Sequence, residues 1–223
     1  MFVFTRTDGY RHDSIPAGIA AIRALGAQHG FSVDASEDSG QFTDSGLRHY
    51  RAVVFLNTTG TILDPSQRAA FERFIRGGGG FVGIHSAADT EHDWPWYGRL
   101  IGAYFESHPE IQAASLQVED RGHPSTRSPP ETWRRTDEWY NFTADPRNKT
   151  RVLARLDELS YSGGTMGVDH PIAWCHDFDG GRSWYTALGH TAASYDEPLF
   201  RRHLLGGIQS VADRDGAGCQ IGP

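Results

Sequence analysis

Short runs of consecutive apolar residues alternate with amphipathic stretches through the first half of the chain. Phe2 to Thr5 reads as a short buried strand. Ile19, Ile22 and Leu25 then recur at three-residue steps and make one helical stripe, which begins near Asp13 or Ser14 ahead of Pro16 and stops at Gly30. Phe31 to Ala35 predicts a second strand. Ala52-Val53-Val54-Phe55-Leu56 is apolar at every position, as expected of a strand covered on both faces, and Asn57 to Gly60 closes it with turn residues. At Asp64-Pro65-Ser66-Gln67 a capping residue, a first-turn proline and a capping-box glutamine stand in order. The helix that starts there carries Ala70, Phe71, Phe74 and Ile75 on one face, runs to about Arg76, and ends in the glycines Gly77 to Gly80. Phe81 to Ile84 is the next strand. Strands alternating with helices at this spacing predict right-handed βαβ units, and so a flavodoxin-like three-layer α/β sandwich with a mostly parallel sheet.

The second half is less regular. Ile111 to Val118 and Arg151 to Leu156 read as strands, separated by a proline-rich stretch at Ser128 to Glu131. Ile172 to Phe178 and Ser183 to Leu188 flank Asp179-Gly180-Gly181-Arg182, a hairpin signal that predicts antiparallel strands on one side of the sheet. A closing helix spans Pro198 to Val211. We expect one domain over residues 1–212 and a flexible tail over 213–223.

The chain has 223 residues, 38% of them hydrophobic and 22% charged, and no apolar run approaches the length of a membrane-spanning helix. The N-terminus lacks the pattern of a secretory signal, so a cytoplasmic protein without a membrane partner is expected. A formal net charge of -7 argues against a nucleic-acid partner, because phosphate binding draws on clustered cations. Cys175 and Cys219 are far apart and form no paired motif, so two reduced thiols are expected. Eleven histidines and six tryptophans shift attention to imidazole chemistry and ring stacking.

In open parallel sheets the binding crevice lies beyond the carboxyl ends of the strands. Four segments place imidazoles or carboxylates there: Asp8 to Asp13; Gly83-Ile84-His85-Ser86-Ala87, with Asp89 and His92 beyond; Thr136 to Tyr140; and Gly189-His190-Thr191. The second has the outline of a nucleophile elbow, but its presented position is His85, so a serine hydrolase does not fit. General acid/base work or metal ligation suits this histidine, and a hydrogen-bonded strand end is the alternative.

Five ordered strings resemble the ThuA-like family, named for trehalose utilisation: Thr7-Asp8-Gly9-Tyr10-Arg11-His12, Gly79 to Ala87, Thr136 to Tyr140, His170-Pro171-Ile172-Ala173-Trp174, and Tyr185 to His190. The resemblance runs from Phe2 to about Val211. It implies a fold similar to class I glutamine amidotransferases, in which the elbow presents a cysteine that a later histidine activates. Here His85 stands at the cysteine position and His190 looks like the later histidine, so thiolate amide transfer is out of reach. The family's association is with bacterial use of disaccharides, often beside oxidoreductases that make 3-keto sugars.

Taken together, these features predict catalytic roles for His12, His85, Glu138 and His190. Asp8, Asp89, His108, Trp139, His170 and Trp174 are expected to bind substrate. For several a structural role competes: Asp89 could cap the next helix, Glu138 and Trp139 could be an exposed acid beside a buried indole, and His170 and Trp174 could be core. His29, His49 and His203 are expected at the surface. The expected substrate is a small sugar, namely a disaccharide, glycoside or 3-keto sugar, cleaved or isomerised by histidine acid/base chemistry. A non-catalytic sugar-binding or regulatory module is the first alternative. A metal-dependent hydrolase is the second, since strand-end histidines and carboxylates could supply a zinc-type set. A homodimer is compatible with apolar helix faces.

Overall fold

The computed structural model describes residues 1–213 and residue 219. In chain order its elements are β1 (Phe2–Phe4), α1 (Ile15–His29), β2 (Asp34–Ser36), α2 (Asp44–Leu47), β3 (Ala52–Leu56), α3 (Pro65–Arg76), β4 (Gly80–Ile84) and α4 (Pro95–Ile101). There follow β5 (Phe105–Ser107), β6 (Gln112–Val118), β7 (Thr132–Asp137), β8 (Asn141–Phe142), β9 (Arg151–Asp157), β10 (Pro171–Phe178), β11 (Gly181–Thr186) and α5 (Pro198–Ala212). The expected capping box at α3 is formed: Asp64 Oδ1 accepts from the Ser66 and Gln67 amides at 2.8 and 2.9 Å, and Gln67 Oε1 accepts from Asp64 N at 2.9 Å.

Nine strands form one sheet in the order β2-β1-β3-β4-β11-β10-β9-β6-β7, with β5 and β8 as a separate pair. The first five are mutually parallel; each later pairing is antiparallel, so two reversals bring β9, and two more bring β7, back to the common direction. Seven of the nine strands therefore end on the same side. The hairpin forms as expected, with Phe178 paired to Gly181 and positive φ at both Asp179 (50°) and Gly180 (93°), the conformation that tight two-residue turns require. Its second strand inserts between β10 and β4, which puts the β11 carboxyl end beside that of β4.

The antiparallel end does not lie flat. His203 of α5 packs on Trp184 of β11, with ring centroids 4.9 Å apart, and on Trp133 of β7 at 5.7 Å. These strands are four positions apart, about 19 Å in a flat sheet at roughly 4.8 Å per step. The sheet must curl around α5 for one ring to reach both. The helix lies close against β11, and a Cβ at Gly207 would come within 2.4 Å of the Trp184 ring.

Two expectations fail here. His203 is buried, at 1% exposure, because the curled sheet covers a helix face that would be outermost on a flat sheet. Cys175 and Cys219 are not free thiols but a disulfide: Cys219 lies beside β10, with the two Cα atoms 5.5 Å apart, within bridging range. A separation of 44 residues carries no spacing signal for such a pair. The rest of the expected tail, apart from Asp213, lies outside the described residues. Among the described residues no helix is long and apolar enough to cross a membrane.

His203 donates through Nδ1 to Ser125 O (3.0 Å) and lies 3.1 Å from Thr186 Oγ1 through Nε2, so the ring is held neutral. Burial pushes its pKa down to about 3. The folded value thus lies below the unfolded one, and its stabilising contribution is complete above about pH 6.5 and lost as pH falls toward 3. Urea denaturation between pH 7 and 4 should show His203→Gln less stable at pH 7, with an acid slope shallower by about one proton, or about 1.4 kcal/mol per pH unit. An unchanged slope would show that His203 does not titrate in this way.

Candidate functional site

β4 is buried along its whole length and stops at Ile84, where His85 turns the chain with a φ of 50° into a short 3-10 turn over His85–Asp89. A non-glycine residue in this region costs on the order of 1–3 kcal/mol and persists where its surroundings hold it. The hold is visible. Tyr185 OH donates to His85 O at 2.9 Å, and Tyr97 OH donates to Ala87 O at 2.7 Å. Because β4 and β11 pair Ile84 with Thr186, the following residues lie side by side, and His85 Nδ1 donates to Ala187 O at 2.7 Å. A carbonyl only accepts, so Nδ1 carries a proton and the ring turns Nε2 toward the crevice.

Three other side chains meet that nitrogen. His85 Nε2 lies 3.1 Å from His190 Nδ1 and 3.3 Å from Glu138 Oε2, and His190 Nδ1 lies 3.1 Å from the same oxygen. The His12 ring stands edge-on at 4.9 Å from both His85 and His190, with its Nδ1 at 3.3 Å from Ser86 Oγ. His108 Nδ1 approaches the other oxygen, Oε1, of Glu138 at 3.1 Å. Burial, and then the neighbouring His85 and His190, push the His12 pKa down to about 3, which keeps that ring neutral. For Glu138 burial alone would act upward, but hydrogen bonds with His190 and His85 outweigh it and hold the carboxyl well below the ordinary range. The cluster is thus an anionic carboxylate among imidazoles.

Asp137, which the sequence reading passed over, holds the arrangement together. Fully buried, it accepts from His190 N and Glu138 N on Oδ1, each at 3.1 Å, and from Gly189 N (2.9 Å) and Ser194 Oγ (3.3 Å) on Oδ2. Arg135 Nη2 lies 3.2 Å from Oδ2. Gly189 adopts a φ of 109°, and a Cβ there would come within 2.8 Å of Tyr195 OH, so only glycine lets the chain turn onto Asp137. A signal for Asp137 existed: Trp133, Arg135 and Asp137 alternate with exposed residues at period two. The inward residues are mostly charged, and that masks the strand.

The cluster opens into a cavity of about 270 Å³ with Tyr10, Thr59, Asp89, Phe105, His108 and Tyr140 in its walls beside His12, Glu138 and His190. A hollow of about 500 Å³ at Gly78 and Asp177 to Arg182 gathers no such set. His85 lies behind the cavity, at 0% exposure. Asp89 lines it, with Oδ1 at 2.9 Å from His92 Nε2, and does not cap α4, which begins at Pro95.

Four expected binding residues do not reach the cavity. Trp139 is fully buried and donates to Gln112 O at 2.8 Å, since it points away from its neighbour Glu138; the aromatic wall is instead Tyr140 and Phe105, with ring centroids 4.3 Å apart. Trp174 is core and donates to Ile101 O at 2.8 Å. His170 stands behind Tyr140, donating to its carbonyl at 2.8 Å while its Nδ1 meets Glu158 Oε1 at 2.7 Å. Asp8 is exposed on the first loop and ties that loop to Thr59 O through its amide at 2.9 Å.

Residues 1–210 match the family model ThuA, described as trehalose utilisation. No curated protein matches the chain. A ThuA-like protein from Bacteroides uniformis is 23% identical with a TM-score of 0.77, the match covering 94% of this chain and 90% of that one. A second from Parabacteroides merdae is 21% identical with a TM-score of 0.79 over 100% of this chain and 93% of that one. A β-galactosidase from Bacillus circulans shares the fold at 15% identity and a TM-score of 0.60, over 93% of this chain but 30% of its own length.

Replacing Asp137 by Asn leaves one oxygen where two now accept and removes the charge opposite Arg135. We expect Asp137→Asn to lower unfolding free energy by about 3–5 kcal/mol, the usual effect of breaking a buried pair. In the folded fraction the histidine NMR signals of His190 should shift. A variant as stable as wild type would show that Asp137 does not organise the site.

Proposed function

The chain belongs to the ThuA, trehalose-utilisation family, and from that premise we propose that it is an enzyme of carbohydrate breakdown. It takes one unit of a disaccharide, glycoside or 3-keto sugar into the cavity above β4 and β11. The observation that carries this reading is the convergence of His12, His85, Glu138 and His190 at the floor of a cavity with aromatic walls. Tyr140 and Phe105 offer ring faces to the apolar side of a sugar, and Thr59 and Asp89 offer hydroxyl partners. Among the described residues no arginine or lysine lines the cavity, which suits a neutral sugar better than a phosphorylated one.

In this reading the groups that face the sugar are His12, Glu138 and His190, the residues that exchange protons with a hydroxyl or with a carbon next to a carbonyl. His85 acts through them, because its ring lies behind the cavity wall. A volume of about 270 Å³ is below the roughly 300–1,000 Å³ of drug-sized pockets, so one ring enters while a second unit projects through the mouth. The proposed setting is the cytoplasm, where the Cys175–Cys219 disulfide would have to withstand the reducing thiol pool.

The test is incubation with trehalose, 3-keto-trehalose and 3-keto-glucosides, followed by mass analysis and by calorimetry on the same mixtures. We expect product from at least one of them and a fall in kcat of about 10²–10⁴-fold in His190→Ala, with KM changing far less. Saturable binding without product would replace the enzyme by a sugar-binding module, and neither binding nor turnover across the panel would overturn the carbohydrate reading.

A further inference from the structure

With neutral rings, the meeting of His85, His190 and Glu138 would leave a deficit of protons. His85 Nε2 is then an acceptor because its proton is on Nδ1, the Glu138 carboxylate is an acceptor, and His190 Nδ1 brings one proton at most. Three such atoms within 3.3 Å of one another repel unless something positive, a further proton or a cation, lies between them. Four metal bonds of about 2.0–2.1 Å at tetrahedral angles hold their ligand atoms about 3.3–3.4 Å apart. The observed 3.1, 3.1 and 3.3 Å are close to that figure, and a ring nitrogen of His12 completes a set whose atoms all lie within 4.8 Å.

We propose that His12, His85, Glu138 and His190 hold a divalent cation of the zinc class. Three imidazoles and one carboxylate suit zinc or a neighbouring transition ion better than magnesium or calcium, which favour oxygen. Each ligand is also oriented from behind, as metal sites require. Ala187 O fixes the His85 tautomer, Ser86 Oγ adjoins His12 Nδ1, His108 takes the outer oxygen of Glu138, and Asp137 anchors the backbone of Glu138 and His190. His12, Glu138 and His190 line the cavity, so a further ligand would reach the cation from that side only by expanding it to five-coordinate. A cation so placed would polarise a hydroxyl or carbonyl that enters from the cavity, and its ligands would then act on the sugar through it and not by exchanging protons themselves. That last role rests on the sugar reading above; the site itself does not.

A second group of candidate ligands, His123, Cys175 and Cys219, serves as a control. Its sulfurs are joined to each other, and His123 Nδ1 accepts from Ser125 N at 3.2 Å, which leaves Nε2 protonated and without a lone pair to give.

The experiment uses full-length protein without a histidine tag, stripped with chelator and titrated with zinc and with cobalt(II). Expected are one ion per chain by calorimetry and visible cobalt bands. Both should weaken by at least about a hundredfold in Glu138→Gln and His190→Ala, by about 10–100-fold in Ser86→Ala, and not at all in Cys219→Ser. Circular dichroism confirms folding, and His190→Ala removes a partly exposed ligand without disturbing the strained turn at His85. No stoichiometric ion, or an ion held equally well by Glu138→Gln and His190→Ala, would overturn the proposal. Because metal binding is read without sugar, its failure is distinct from a failure of the carbohydrate reading.

Discussion

The carboxylate of Asp137 is the contact on which the rest of the site depends. Glu138 leaves the end of β7 at one margin of the sheet, whereas His190 follows β11 near its middle. Asp137 accepts from the amides of Glu138, Gly189 and His190 together, so both catalytic candidates hang from one side chain. A carboxylate in the interior is costly unless its oxygens are satisfied, and here four donors and Arg135 satisfy them. The closure is also directional. Hydrogen bonds to backbone amides fix the positions of the chains, where apolar packing alone would let them slide.

That closure needs a curled sheet, and the curl comes from α5. Trp184, Trp133 and Arg135 all reach the helix, the last with its guanidinium 4.7 Å over the Phe200 ring. Wrapping the antiparallel strands around one helix turns the β7 edge back over the parallel half. Without this, the carboxyl ends of β4 and β11 would carry His85 and His190 but no carboxylate. The strained φ at His85 belongs to the same arrangement, since Tyr185, Tyr97 and Ala187 hold the turn from three sides.

Much of the parallel half was legible in the sequence because its signals are local. An unbroken apolar run at Ala52 to Leu56 and a cap followed by a proline at Asp64 and Pro65 read the same in any context. The elbow at His85 was legible too, from a strand ending against a turn. The antiparallel half was harder. β7 carries Arg135 and Asp137 on its inward face, and a pattern of charges does not look like a buried strand until the partners that neutralise them are known. His203 and the cysteine pair misled for a related reason, since what covers a helix face, or meets a thiol 44 residues away, is a long-range fact.

The four converging residues, His12, His85, Glu138 and His190, were named from the sequence by two signals together: each stands just after a strand or within a strand-end loop, and each falls in a string that resembles the ThuA-like family. The same resemblance put His85 where class I glutamine amidotransferases carry a cysteine. What the sequence could not determine was which neighbour of each residue faces the cavity. Tyr140, not Trp139, is its aromatic wall, and Asp137, not Glu138, is the anchor. Successive side chains along an extended chain point in opposite directions, so a register set by distant strands decides which one enters the site. That His85 turns Nε2 toward His190 and Glu138 is likewise a tertiary fact, because it follows from Ala187 O engaging Nδ1.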